Sequence, residues 1–198
     1  MIVDVGCGDG GWVLASAAAH PEREYIGLER IEPLVRKAGA AAPPNARFVA
    51  GDAVAWLRRR AEASVDEVHV YHPQPYYDPE EAPLGVGTAE FFERVWRVLR
   101  PGGLLVLQTD NRKYGKYLLE AARRHFEAEV RPGPWADAPK GRTRRESVAI
   151  GKGLPLLRVS ATRRPAPLEL PDPEPYFDLR KPGLRRRRPS RKQKRCAP

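Results

Sequence analysis

The sequence contains no apolar run of the length that a membrane span needs. Of its 198 residues 41% are hydrophobic, but no stretch approaches the roughly 20 consecutive apolar residues that cross a bilayer. A transmembrane protein is therefore not expected. The length and the apolar fraction suit one ordinary domain with a hydrophobic core, followed by a tail of different composition.

Cysteine is scarce, and the two that occur, Cys7 and Cys196, lie at opposite ends of the chain. They form neither a metal-binding pair nor a disulfide framework, which favours a reducing compartment, and the cytoplasm is the expected location. We expect no metal site, and Cys7 is interpreted as a small buried filler. No signal peptide is expected, because Met1 already stands at the edge of an apolar strand.

Acidic residues are absent from the C-terminal tail, residues 179–198. This segment carries 10 Lys and Arg, whereas residues 1–178 carry 25 basic and 25 acidic side chains, so the whole net charge of +10 lies in the tail. With few apolar residues, the tail is expected to be disordered. It could be a solubilising segment, an arm that binds nucleic-acid phosphates, or a membrane-surface contact, although no apolar face supports the last. We divide the chain into a domain, 1–164, and a Pro-rich and then basic tail, 165–198.

Short apolar strands alternate with helical patterns along the first 164 residues. The first strand, residues 1–5, runs through a glycine turn into a helix near Trp12, which is the opening of a βαβ unit. Further strands are predicted at 24–28, 46–50, 67–71, 104–108, 126–130 and 156–161, and helices at 33–41, 53–61, 88–99 and 114–125. The pattern predicts an α/β fold with a doubly wound, Rossmann-like sheet of seven mostly parallel strands, whose ligands bind beyond the carboxyl ends of the strands.

The first predicted strand ends in a turn rich in glycine. Gly6, Gly8 and Gly11 fit the dinucleotide pattern G-x-G-x-x-G. Gly6, Gly8 and Gly10 fit the methyltransferase pattern G-x-G-x-G equally well. Glu29 follows Gly8 by 21 residues, which suits an acid on ribose hydroxyls under either pattern.

An acid after the third strand favours an adenosine cofactor. Asp52 can accept a hydrogen bond from an adenine amino group while Ala53 packs on the ring, and it can at the same time cap the helix that starts at Ala53. His20 and His72 have no Ser, Cys or metal-ligand partner at a useful spacing, so both are interpreted as structural. A nicotinamide-dependent dehydrogenase is disfavoured, because no catalytic His or Tyr-Lys pair stands in a suitable place.

With these motifs the chain resembles the class I S-adenosylmethionine-dependent methyltransferases. The segments that carry the likeness are 3–10, 26–29, 51–53 and 99–103. Three later segments are similar to one branch, the bacterial tRNA (guanine-N7-)-methyltransferases: 65–68 with the following Pro-x-Pro-aromatic turn, 107–111 and 141–146. The resemblance implies S-adenosylmethionine as cofactor, tRNA as partner, and methyl transfer to N7 of a variable-loop guanine.

The same resemblance implies roles for individual residues. Those expected to bind the cofactor are Asp4, Gly6, Gly8, Gly10, Glu29, Asp52, Ala53 and Gln74, and those expected to bind the substrate are Asp110, Thr143, Arg144, Arg145 and Glu146. Asp110 is the main catalytic candidate, because a carboxylate beside the base stabilises the positive charge that develops on its imidazole ring. It could instead cap the helix from Arg112. Gln74 is the second catalytic candidate, and Tyr76 and Tyr77 could stack on an extruded base.

Two departures from the family pattern bear on the function. Gln74 stands where the family's Pro-Asp-Pro-Trp turn has an aspartate, and the acid-rich residues 78–81 replace a basic stretch. The basic tail could supply the lost phosphate contacts. The alternatives are a class I methyltransferase that acts on a small molecule or protein, and a nucleic-acid-binding protein that keeps the fold without turnover. We expect a monomer with no membrane partner.

Overall fold

The computed structural model describes residues 1–76, 80–174 and 176. Its strands are β1 (Ile2–Val5), β2 (Tyr25–Glu29), β3 (Ala46–Ala50), β4 (Val65–Tyr71), β5 (Leu99–Thr109), β6 (Phe126–Val130) and β7 (Leu157–Arg163). Its helices are α1 (Gly11–Ala19), α2 (Glu32–Ala40), α3 (Ala53–Arg58), α4 (Ala89–Val98), α5 (Arg112–Ala122) and α6 (Arg144–Gly151), with a 3₁₀ turn at Ala82–Leu84. None of the helices in these ranges is long and apolar enough to cross a membrane.

The strands form one sheet in the order β3-β2-β1-β4-β5-β7-β6. The pairings among β1 to β5 are parallel, and β7 runs antiparallel to both β5 and β6. The direction of winding reverses between β1 and β4, and open sheets of this kind bind ligands in the crevice beyond the strand ends at that point. The predicted Rossmann-like fold class is confirmed.

The main core cluster includes side chains of β5 and of α4, the helix that precedes it. Val106 and Leu107 of β5 point to opposite faces of the sheet and are both fully buried, as the continuous apolar run predicts for a strand covered on both faces. Phe91 and Phe92 of α4 are also fully buried, and the ring of Phe92 lies 6.4 Å from that of Phe126. Burial of each such side chain contributes about 1.5–3 kcal/mol. This packing fixes β5, whose carboxyl end leads directly into Asp110.

Two helix starts differ from the sequence expectation. Helix α5 begins at Arg112, and the side chain of Asn111 accepts a hydrogen bond from the Tyr114 backbone, so Asn111 and not Asp110 is the cap. The alternative of Asp110 as a helix cap is therefore wrong. Helix α6 was not predicted, because its segment is polar and carries no clear apolar periodicity.

Strand β5 begins five residues earlier than predicted. Residues 101–103, Pro-Gly-Gly, do not favour a regular strand, but Leu99 already pairs with Val65 of β4, and the register shifts between Val65 and Glu67. The irregularity absorbs the residues that cannot continue a regular ladder. The remaining predicted elements agree with the structure to within about three residues at their ends.

After β7 the chain crosses the outside of α5. The backbone N–H of Leu168 donates to the carbonyl of Arg124 at 2.7 Å, and the Tyr176 ring packs on Tyr114 and Tyr117 at centroid distances of 4.9 and 5.1 Å. The predicted disorder of the basic tail lies outside the described residues. The division at residue 164 stays a prediction.

Candidate active site

The glycine turn after β1 forms a cradle with open space above it. Gly6, Gly8 and Gly10 have φ values of +75°, +58° and +75°, a region that side-chain-bearing residues rarely adopt. A Cβ added at Gly6 or Gly8 would meet nothing within 4 Å, whereas one at Gly10 would lie 2.6 Å from the Phe48 ring. Gly6 and Gly8 therefore leave room for a ligand, and Gly10 allows close packing beneath the turn.

Glu29, at the end of β2, holds this turn in place. Its carboxylate accepts hydrogen bonds from the backbone N–H of Gly8 at 3.1 Å, of Arg30 at 2.8 Å and of Ile31 at 3.0 Å. A carboxylate offers about four acceptor positions, so one remains for a ligand hydroxyl. The structure thus gives Glu29 an architectural role in addition to the ribose contact that the sequence predicts.

Asp4 is a buried carboxylate whose oxygen Oδ1 has no hydrogen-bond partner among the described residues. Its side chain lies beside the glycine turn with 3% of its surface exposed. Burial, and secondarily the charge of Glu29, raises the pKa of Asp4 from 3.8 to about 8. An unsatisfied buried acceptor is costly, and the ammonium group of S-adenosylmethionine would supply the missing donor. The residues present therefore fit this cofactor.

Two cavities meet at the turn. The first, of about 280 Å³, is lined by residues that follow β2, β3 and β4, including Asp52 and Ala53. The second, of about 450 Å³, contains Asp4. They share Gly6, Tyr71 and His72, so together they form one elongated cleft. This shape suits a ligand with an adenosine part in the first cavity and an amino-acid part in the second.

One of the two roles predicted for Asp52, capping of helix α3, is confirmed. Its side chain caps α3 by accepting a hydrogen bond from the Ala55 backbone at 2.9 Å. Because Asp52 and Ala53 also line the first cavity, the predicted contact with adenine is compatible with the cap. Gln74 is exposed and lines the same cavity with Tyr76, whereas Tyr77 lies outside the described residues.

Asp110, which follows β5, is held from two sides. Arg145 Nε donates a hydrogen bond to Oδ2 at 3.1 Å, its Nη2 lies 2.9 Å from Oδ1 as an ion pair, and His72 Nδ1 lies 3.3 Å from Oδ1. Burial alone raises the pKa of Asp110, but the hydrogen bonds from Arg145 and His72 outweigh it and lower the pKa. Two of the predicted substrate residues, Asp110 and Arg145, are thus brought together as an ion pair.

The Thr-x-x-Glu motif has a structural use. The hydroxyl of Thr143 caps α6 by accepting from the Glu146 backbone at 3.1 Å, which is the helix-capping arrangement expected of this spacing. Glu146 is fully buried, and its carboxylate accepts from the Arg158 guanidinium at 2.8 and 3.0 Å and from the Arg142 backbone at 2.7 Å. Both oxygens already have partners, so this geometry does not present Glu146 to a guanine edge. Exposed Arg144 lines the second cavity beside Thr143.

The sequence pattern does not reveal the position of His72. It predicts a structural role only, whereas the structure places this residue where the two cavities meet and in contact with Asp110. Its left-handed backbone, with φ +51°, leaves no signature in the sequence. Within the described ranges, no group of three or more His, Cys, Asp or Glu side chains is arranged to hold a metal ion.

Comparison with known proteins identifies the relatives of this chain. A family model described as "Putative methyltransferase" matches residues 1–152. A tRNA (guanine-N(7)-)-methyltransferase of Halorhodospira halophila is 30% identical over 158 residues, which cover 77% of this chain and 68% of the relative. One of Cutibacterium acnes is 30% identical over 166 residues, covering 78% of this chain and 60% of the relative.

Solved structures show the same fold. The 16S rRNA (adenine(1408)-N(1))-methyltransferase from Catenulisporales acidiphilia matches with a TM-score of 0.58 at 19% identity, over 83% of this chain and 88% of that one. At this identity the likeness concerns the fold alone. The chain spans about half to two thirds of the length of the curated relatives that it matches.

Proposed function

Because the chain belongs to the tRNA (guanine-N(7)-)-methyltransferase family, we propose that it transfers a methyl group from S-adenosylmethionine to N7 of a guanine in the variable loop of tRNA. The observation that carries this proposal is the cleft in which the two cavities meet at His72, with the Asp110 carboxylate bound to that histidine. The cofactor would supply an activated methyl group on a sulfonium. The protein then has to place it and to stabilise the charge that moves.

The electrostatic state of Asp110 suits this reaction. Guanine N7 carries a free lone pair at neutral pH, so no base has to remove a proton before attack. A carboxylate with a lowered pKa is a weak base but a permanent negative charge, and positive charge develops on the guanine ring in the transition state. Placing donor and acceptor about 3–3.5 Å apart can supply a further ~7–11 kcal/mol.

Three acidic side chains would each bind a different part of the cofactor. Asp4 faces the second cavity with an unpaired oxygen and would accept from the ammonium group. Glu29 keeps one acceptor position for the ribose hydroxyls, and Asp52 lies in the first cavity for the adenine amino group. Charge-assisted hydrogen bonds of this kind contribute about 1.5–3 kcal/mol each.

Exposed basic side chains surround the cleft. Arg30 lines the first cavity and Arg144 the second, while Arg112 and Lys113 begin α5 immediately after the Asp110 region. All four are exposed. Such residues bind phosphates without reading sequence, and they would take over from the basic stretch that this chain lacks after Gln74.

The position of Tyr176 supports an RNA-binding role for the basic tail. Tyr176 packs on Tyr114, whose hydroxyl donates to the carbonyl of Val86 at 2.5 Å, and Val86 lines the first cavity. Tyr176 is therefore connected through Tyr114 to a wall of the cleft, only a few residues before the tail, 179–198, begins. We propose that the tail binds tRNA phosphates near the site. We also propose that the protein acts as a monomer in the cytoplasm.

The proposal is tested with purified protein, tRNA and methyl-labelled S-adenosylmethionine. We expect labelled 7-methylguanosine after nuclease digestion. Asp110→Asn keeps the size of the side chain and removes its charge, so kcat should fall about 10²-fold, as for the loss of one group that stabilises the transition state, while KM for the cofactor stays within twofold. Asp172→Asn, on the exposed segment behind α5, is the control and should be unchanged. Wild-type kcat in Asp110→Asn would contradict the role of the charge.

A further inference from the structure

A chain of hydrogen bonds runs behind Asp110. Trp135 Nε1 donates to Gln108 Oε1 at 2.6 Å, Gln108 Nε2 lies 3.0 Å from His72 Nε2, and His72 Nδ1 lies 3.3 Å from Asp110 Oδ1. Gln108 is fully buried, and the His72 side chain is 4% exposed. These hydrogen bonds thus connect Trp135, in the segment before α6, with the Asp110 carboxylate at the cleft.

The chemistry of the first donor fixes the direction of the whole chain. An indole N–H can only donate, so the amide oxygen of Gln108 must face Trp135 and its NH₂ must face His72. His72 Nε2 then accepts, which leaves the proton of the neutral ring on Nδ1. His72 therefore donates to Asp110.

The backbone of His72 has an unusual conformation. Its φ of +51° is uncommon for a residue with a side chain, and its N–H donates to the Gln108 carbonyl at 2.6 Å. Strained residues of this kind persist only where the surrounding structure over-determines them, and they concentrate at functional sites.

The second partner of Asp110 is much less fixed than His72. Arg145 has 54% of its side chain exposed, against 4% for His72. Arg145 also lies at the entrance, where RNA phosphates would compete for its guanidinium. If Arg145 turns toward RNA, the hydrogen bond from His72 still holds the carboxylate of Asp110.

We propose that His72 is a positioning residue for methyl transfer, with its Nδ1–H orienting the Asp110 carboxylate and with Gln108 and Trp135 fixing the tautomer that can do so. This role rests on the proposed function, since the oriented carboxylate is the one that stabilises the developing charge on guanine. His72 itself is assigned no contact with the reacting atoms.

Two substitutions of His72 distinguish the role of Nδ1 from that of Nε2. Asparagine places an amide N–H near the position of Nδ1 and keeps the donor to Asp110, whereas glutamine reaches the position of Nε2 and loses that donor. We expect His72→Gln to lower kcat on tRNA about 10- to 100-fold, the scale of a small misplacement in an active site, with KM for the cofactor unchanged. His72→Asn should stay within about fivefold of wild type. His20→Gln, at an exposed histidine, is the matched control.

The result that would overturn the proposal is a wild-type kcat in His72→Gln, or an equal fall of kcat in both variants. A second measurement needs neither tRNA nor turnover: nitrogen NMR of the His72 ring distinguishes the two tautomers. We expect the Nδ1–H form in the wild type, and a mixture in Trp135→Phe, because the Gln108 amide is then free to turn over.

The two measurements also separate this inference from the proposed function. A wild-type protein with the Nδ1–H tautomer but no 7-methylguanosine product would refute the proposed function, and the positioning role would fall with it. An active enzyme with the Nε2–H tautomer would refute the positioning role alone.

Discussion

Replacing Asp4 by asparagine should make the protein more stable and a poorer cofactor binder. The pKa of Asp4 is raised from 3.8 to about 8 because the carboxyl is buried. Ionisation in the folded state is therefore unfavourable, and a difference of this size corresponds to at most ~6 kcal/mol. The amide of asparagine occupies the same volume and cannot ionise, so Asp4→Asn removes this cost.

The pH dependence follows from the direction of the shift. A group whose pKa is higher in the folded state contributes its full stability below the unfolded pKa, near 4, and that contribution is lost as pH rises toward 8. The free energies of unfolding of wild type and Asp4→Asn should therefore differ little at pH 4 and diverge up to pH 8.5. We expect a gain of about 1–3 kcal/mol there, below the upper limit because structural relaxation and solvation reduce the cost of a buried charge.

Urea unfolding at pH 4, 7 and 8.5 measures this gain, and calorimetry with S-adenosylhomocysteine measures the loss of affinity. Affinity should fall about 10-fold or more, since the amide no longer offers a charge to the ammonium group. Asp172→Asn is the control, because Asp172 is exposed and lines neither of the two cavities. A stability difference that does not change with pH, or an unchanged affinity, would refute this interpretation of Asp4.

Three further substitutions test the rest of the site. Gly8→Ala should abolish S-adenosylhomocysteine binding and lower the free energy of unfolding by about 1–2 kcal/mol. Gly10→Ala should lower the free energy of unfolding more, because its methyl group would meet the Phe48 ring at 2.6 Å. Urea unfolding measures the loss of stability and calorimetry the loss of binding. Glu146→Gln should lower the free energy of unfolding by about 3–5 kcal/mol by leaving Arg158 as a buried unpaired charge, and an unchanged urea midpoint would contradict that. Deleting residues 179–198 should flatten the salt dependence of tRNA affinity while cofactor affinity stays the same; an identical salt slope would mean that the tail does not bind phosphates.

Local patterns in the sequence are sufficient for the fold and for the glycine turn that follows β1. The alternation of strands and helices follows from apolar periodicity, and the glycine turn with Glu29 follows from spacing along the chain. These features depend on residues close to one another in sequence. A single sequence can therefore reveal them.

The substrate half depends on contacts between distant residues. Glu146 of α6 forms a buried ion pair with Arg158 of β7. His72, which follows β4, contacts Gln108 in β5 and Asp110 directly after it. The resemblance assigns the Thr-x-x-Glu motif to substrate binding, and in the structure the same spacing caps a helix. The polar segment of α6 offered no periodicity from which its burial of Glu146 could be inferred.

The most direct test of the central claim is methylation of tRNA in which the variable-loop guanine is replaced by 7-deazaguanine. This base keeps the hydrogen-bonding edge of guanine but has carbon in place of N7, so it offers no lone pair to accept the methyl group. Labelled S-adenosylmethionine should transfer label to unmodified tRNA and none to the substituted tRNA, while both bind the protein equally. Equal transfer of label to both tRNAs would contradict N7 of that guanine as the acceptor.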